Sequence, residues 1–226
     1  MNAAIVAAAG RGTRFGRGRA KQFVELCGVP VIVHTLRRFE RCESVGETIV
    51  VLPAEETAVF AALAEGYELK KLARVVAGGA TRGESVWRGL QALSASGVVA
   101  VHDGVRPFVS PSEIDRVVRA AEETGAALLA VPATDTLKEV RAGRVARTLE
   151  RSSVWHAQTP QCFRQDLLRR AYESALAEGL DATDDSALVE RLGVSVSVVE
   201  GSARNVKITR PEDIAVAEIL LREFEE

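Results

Sequence analysis

Apolar residues run almost unbroken through positions 3–9 and 126–131, with shorter runs at 48–52, 74–77 and 98–102. These runs lack the alternation of a strand with one wet face, so each strand is expected to be buried on both sides. Between them the spacing turns helical, at 30–41, 54–64, 83–94 and from 111 to about 124. Ser110-Pro111-Ser112-Glu113 opens the last of these as a capping box with proline at the first helical position. Buried strands separated by helices predict an α/β fold: a mostly parallel sheet with helices on both faces. In such sheets ligands bind beyond the carboxyl ends of the strands, where Gly10, Gly78-Gly79 and Asp103 fall.

The alternation lapses between residues 134 and 154. Stretches 137–141 and 144–149 mix polar and apolar positions around Ala142-Gly143 and predict a hairpin. A charged two-stranded hairpin has no core of its own. It is expected to protrude as an arm over about 134–154 and to pack on a second subunit. Helices follow at 164–178, at 184–192 with Thr183 as cap, and at 211–224; short strands at 194–199 and 205–208 complete the sheet. With no repeat, linker or low-complexity tract, residues 1–226 read as one domain carrying that arm.

Composition narrows the classes. A formal net charge of -2 does not fit a broad nucleic-acid or anionic-membrane surface. The three cysteines and three histidines are scattered, giving neither a disulfide framework nor a metal motif. No apolar run approaches the roughly 20 residues of a membrane span, and no leader pattern opens the chain. A cytoplasmic protein is expected.

The chemistry begins where the first strand ends. Ala8-Ala9-Gly10-Arg11-Gly12-Thr13-Arg14 leads on to Lys21-Gln22. Glycines let the backbone approach a ligand, the amides of such a turn form an anion-sized nest, and Arg14 and Lys21 add two positive charges. Position 15 is Phe15, which breaks the dinucleotide fingerprint, and no Gly-Lys pair supplies a P-loop. Gly79 and Ser85, in the turn before the 83–94 helix, suit contact with a flat base. In His102-Asp103-Gly104-Val105-Arg106-Pro107, either Asp103 helps hold Mg²⁺ or a substrate hydroxyl and Arg106 pairs with an anion, or the two bridge each other and fix the turn. Arg151 and Lys207 taken singly read as surface cations, and Thr136 and Thr159 carry no chemistry visible in isolation.

Together, in order, these segments join Asp135-Thr136, Trp155-His156-Ala157-Gln158-Thr159-Pro160-Gln161, Thr183-Asp184 and Asn205-Val206-Lys207-Ile208-Thr209-Arg210-Pro211-Glu212-Asp213. The series resembles the 2-C-methyl-D-erythritol 4-phosphate cytidylyltransferases of the non-mevalonate isoprenoid pathway, over essentially the whole chain. The resemblance implies a Rossmann-like nucleotide-binding fold and a homodimer interlocked by the arm, with shared active sites. It implies transfer of CMP from CTP to methylerythritol phosphate with release of pyrophosphate, aided by Mg²⁺ bound mainly through the CTP phosphates rather than by protein ligands. Carried over, Arg14 and Lys21 match the pair that stabilises the transition state, and Arg151 and Lys207 match residues that position the acceptor. Ala8, Ala9, Gly10, Gly12, Gly79 and Ser85 match nucleotide-binding positions, and Asp103, Arg106, Thr136 and Thr159 match acceptor-binding positions. Two alternatives share parts of this pattern: a ribitol-5-phosphate cytidylyltransferase, and a nucleotide-binding regulatory protein without turnover.

Overall fold

The structure, a computed structural model, describes residues 1–10, 21–94, 97–180 and 184–225. In chain order its elements are β1 (Asn2–Ala7), β2 (Glu25–Leu26), β3 (Val29–Pro30), α1 (Val31–Arg41), β4 (Val45–Leu52), α2 (Thr57–Ala64), β5 (Leu72–Ala77) and α3 (Arg82–Ala92). There follow β6 (Val98–Asp103), α4 (Pro111–Thr124), β7 (Ala126–Pro132), β8 (Lys138–Arg141), β9 (Arg144–Thr148), β10 (Trp155–Arg164), α5 (Gln165–Ala177), α6 (Asp185–Arg191), β11 (Ser197–Glu200) and α7 (Asp213–Glu225). Seven strands form the central sheet in the order β11-β7-β10-β6-β1-β4-β5. All neighbours are parallel except β10, which runs antiparallel between β6 and β7.

The runs in β1, β4, β6 and β7 are largely buried on both faces, as their composition requires, but the run at 74–77 lies in the edge strand β5, where no residue is fully buried. Ala4 and Val6 of β1 face one core with Leu36 and Phe39 of α1 and Val117 and Val118 of α4. Ala3 and Ile5 face the other with Val86 and Leu90 of α3, Leu168 of α5 and Val189 of α6. A third cluster, with Leu26, Val105, Phe108, Ile208 and Leu221, seats α7 beneath the turn that follows β6. The capping box forms as the sequence predicts: the Ser110 side chain accepts from the Glu113 amide and the Glu113 carboxylate accepts from the Ser110 amide.

Two further sequence expectations are corrected. Residues 205–208 are not a strand: the Ile208 N–H donates to the Val105 carbonyl, and its side chain is buried with α7 rather than in the sheet. The polar stretch containing Trp155 and Pro160, for which the sequence predicts no strand, is instead β10. Pro160 lacks an N–H and reads as a loop signal. The pairing with β7 does break between Ala157 and Gln161, and the ladder resumes on either side. Thr183 lies outside the described residues; Asp184 caps α6, its side chain accepting from the Ala187 amide. The expected hairpin is present as β8–β9, pairing Glu139 with Arg147 and leaving Val140 and Val145 exposed opposite each other.

Candidate active site

β1 is the strand at which the strand order reverses, with β4 and β5 on one side and β6 on the other. The crevice over such a switch point is where α/β sheets bind ligands. A cavity of about 530 Å³ lies there, lined by Ala7 at the end of β1, Ala8–Gly10 beyond it, Lys21 and Gln22, Gly79–Arg82 and Ser85, Asp103 and Val105, and Lys207. A larger cavity, about 660 Å³, runs along α2 and β5 and shares no residue with it. The first gathers convergent polar groups at the strand ends, which marks it as the chemical site.

One wall of the cavity is two loops pressed together. A Cβ on Gly78 would lie 2.4 Å from the Ala9 Cβ and 2.8 Å from Ser85 Oγ, so only glycine admits this approach. The Gly79 amide donates to Ser85 Oγ (3.1 Å), Ser85 Oγ donates to the Thr81 carbonyl (2.8 Å), and the Ala80 amide donates to Glu84 Oε2 (2.7 Å). Ser85 is buried, and its hydroxyl proton is committed to shaping the turn. Ala8 is held by its amide donating to the Val51 carbonyl (2.8 Å). Lys21 opens a short 3-10 turn, Lys21–Phe23, on the cavity wall. Arg14 and Gly12 lie outside the described residues.

The other wall centres on Asp103, at the end of β6. Its carboxylate meets Lys207 Nζ at 2.9 Å, Arg106 Nε at 3.4 Å and Arg82 Nε at 3.7 Å. Burial alone would raise its pKa, but Lys207, Arg82 and Arg106 hold it far below the usual carboxylate range, so Asp103 is an anion at neutral pH. Arg106 is turned inward, donating also from Nη1 to the Asn205 carbonyl (2.7 Å); the bridging reading of Asp103 and Arg106 is the one its geometry fits. Thr159 is buried in the break of β10, where its Oγ1 accepts from the Asp103 amide (3.1 Å). Thr136 and Arg151 are exposed on the arm and line no part of this cavity; Arg151 Nη1 donates to the Thr134 carbonyl (2.8 Å).

The structure adds residues that the sequence left unassigned. Arg82 Nη2 donates to the fully buried Asp185 (2.7 Å), whose other oxygen accepts from Tyr172, and Gln161 Oε1 accepts from the Asp185 amide. Burial opposes the charge on Arg82, but Asp185 and Asp103 raise its pKa further, so it is a permanent cation bridging α6 to β6. Arg82 and Gln161 stand inside motifs visible in the sequence, whereas nothing local marks Asp185 or Tyr172.

A model of the family described as 2-C-methyl-D-erythritol 4-phosphate cytidylyltransferase matches residues 2–223. The chain belongs to that family. A relative of that name from Pelotomaculum thermopropionicum is 47% identical over 223 residues, covering 97% of this chain and 94% of its own. The 4-diphosphocytidyl-2C-methyl-D-erythritol synthase structure from Anaerococcus prevotii superposes with a TM-score of 0.86 at 34% identity, covering 98% of this chain and 96% of its own. The 2-C-methyl-D-erythritol 4-phosphate cytidylyltransferase structure from Thermus thermophilus does so with a TM-score of 0.78 at 36% identity, covering 96% and 98%. The chain is thus a cytidylyltransferase, and CTP-dependent cytidylyl transfer in isoprenoid synthesis is its family's reaction.

Proposed function

We propose that the chain transfers CMP from CTP to 2-C-methyl-D-erythritol 4-phosphate, releasing pyrophosphate. The observation that carries this reading is one cavity with a nucleotide cradle, Ala8–Gly10 and Gly79, on one wall and the Asp103–Lys207 pair on the other. The acceptor's phosphate oxygen attacks the α-phosphorus, and the bond from that phosphorus to the β-phosphate oxygen breaks. The nucleophile is already an anion, so no general base is needed. The barrier is repulsion between phosphates and charge growing on the leaving group, which fixed cations and in-line positioning lower.

Within this reading Lys21 and Arg14 stabilise the α-phosphoryl transition state, and Gly12 completes the phosphate turn with Gly10. The cytosine lies against Gly79 in the turn that Ser85 holds. Lys207 exchanges Asp103 for the acceptor phosphate, freeing Asp103 to accept from the acceptor's hydroxyls. Mg²⁺ enters with the triphosphate as part of the substrate and neutralises phosphate charge. That suits a cavity whose one lining carboxylate is already engaged by cations, and among the described residues no cluster of three or more His, Cys, Asp or Glu side chains is placed to hold a metal.

The arm supports a homodimer with shared sites. Val140 and Val145 form an exposed apolar pair on a hairpin whose residues are nearly all exposed, and Thr136 and Arg151 lie outside their own chain's cavity. In this reading they serve the partner's acceptor. Among the described residues no helix is long and apolar enough to cross a membrane. Pyrophosphate release from CTP with methylerythritol phosphate, against ribitol 5-phosphate as competing acceptor, tests the assignment. A higher kcat/KM for ribitol phosphate would shift it to the other polyol, and no release with either would remove it.

A further inference from the structure

His102 is the penultimate residue of β6, has no exposed surface, and is used by no step above. Its ring packs edge-on against Phe39, with centroids 5.2 Å apart. Its two nitrogens face different partners. Nε2 lies 3.1 Å from the Arg106 carbonyl oxygen, which can only accept, so Nε2 carries a proton. Nδ1 lies 3.0 Å from Thr159 Oγ1. Burial, helped by the Arg106 charge and opposed by the backbone of Arg106 and Thr159 and by Asp103, pushes the ring's pKa down to about 4. A neutral ring has one N–H, so Nδ1 is bare and the Thr159 hydroxyl donates to it. The same hydroxyl oxygen accepts from the Asp103 amide.

We propose that His102, fixed as the Nε2–H tautomer, is a positioning residue that sets the acceptor half of the site through Thr159 and Arg106. Around this ring three distant segments meet. Through Nε2 it holds the turn carrying Asp103 and Arg106; through Nδ1 it holds Thr159 in the break of β10. Asn205 closes the circuit, its Nδ2 donating to the Thr159 carbonyl (2.9 Å) and its carbonyl accepting from Arg106 (2.7 Å), two residues before Lys207. Because the Thr159 proton points to the ring, its oxygen is oriented to accept from the Asp103 amide at the end of β6. His102 thereby fixes both where Asp103 sits and which hydrogen-bonding role Thr159 can play. It does this without adding a positive charge beside Arg106.

The inference rests on the acceptor occupying the Asp103 side, as proposed above. Wild-type turnover of methylerythritol phosphate is therefore measured first, and its absence removes that functional reading without touching the tautomer. Ring ¹⁵N–¹H correlation at neutral pH then reads the imidazole directly, with an Nε2–H signal and a bare Nδ1 expected. A proton on Nδ1 overturns the proposal, and this readout needs no variant to fold. His102→Phe keeps the packing on Phe39 but takes away the acceptor for the Thr159 hydroxyl proton and the donor to the Arg106 carbonyl. It is expected to lower kcat/KM for the acceptor about tenfold or more while KM for CTP stays within about twofold. His102→Asn, which returns an acceptor near Nδ1, recovers part of that loss. Adding Thr159→Val to His102→Phe costs less than the two single losses combined, because both act partly along one path. Equal changes in the acceptor and CTP parameters, or full additivity of the two substitutions, would show that His102 is only core packing.

Discussion

Acidifying the protein from pH 8 to pH 5 protonates His102 in the unfolded chain before it does so in the folded one. The ordinary imidazole pKa of 6.5 falls to about 4 in the fold, chiefly through burial. Between those values the unfolded state binds the extra proton, so stability is full above pH 6.5 and declines as pH falls toward 4. Each tenfold difference in proton affinity between the two states corresponds to about 1.4 kcal/mol. At pH 5 the unfolded imidazole is almost fully protonated while the folded one is still mostly neutral. The His102 contribution to the loss is then about 2 kcal/mol, or roughly 4–8 °C in Tm for a chain of this size. Asp103 shifts in the same sense, but its window lies below the ordinary carboxylate value of 3.8 and leaves this interval clear. Urea unfolding of wild type and His102→Asn at pH 8 and pH 5 isolates the effect, since every other titrating group is common to both. The stability advantage of wild type should shrink by about 2 kcal/mol on acidification. A gap that stays constant would refute a buried neutral imidazole and the hydrogen-bond assignment built on it.

Other consequences follow from the same geometry. Lys21→Ala and Arg14→Ala should fold normally and lose about a hundredfold or more in kcat with little change in CTP affinity, because they act where charge grows in the transition state; steady-state kinetics with near-normal kcat would contradict this. With the base seated against Gly79 as proposed, kcat/KM for ATP should fall far below that for CTP, with UTP the nearer competitor. Asp185→Asn should free Arg82 from its buried anchor and raise KM for the acceptor, with loss of stability of about 3 kcal/mol on chemical denaturation from breaking a buried pair. Mixing Arg151→Ala and Lys21→Ala homodimers with subunit exchange should restore about a quarter of wild-type activity, one intact site in each mixed dimer. No recovery after demonstrated exchange would return Arg151 to its own subunit.

The parallel part of the sheet is legible because β1, β4, β6 and β7 are covered on both faces and need apolar residues at nearly every position. The polar part of β10 is not, because its buried residues are held by hydrogen bonds rather than by apolar packing. Gln158, Thr159 and Gln161 are buried there through hydrogen bonds made to residues far away in the chain, and such partners leave no periodicity. Residues 205–208 show the converse error. Their alternation of Val206 and Ile208 mimics a strand, yet Ile208 packs beneath the turn after β6 and anchors α7. Gly10, Gly79, Asp103 and Lys207 announce themselves by motif and do converge on one cavity. Asp185 carries no local signal, because its role depends on α6 being folded against Arg82 and Tyr172. His102 is visible only as a neighbour of Asp103; the partners that give it a role come from β10 and the turn that follows β6.

The central claim is that a phosphate oxygen, already anionic, attacks the α-phosphorus of CTP without a general base. Phosphorus-31 NMR of a single reaction mixture with methylerythritol phosphate follows both phosphorus atoms at once. A new pair of mutually coupled signals, from a diphosphate joining the acceptor to CMP, should grow in step with free pyrophosphate. An uncoupled phosphodiester signal, with the acceptor's phosphate monoester left intact, would mean that a hydroxyl attacked and that the site needs a base that this account does not contain.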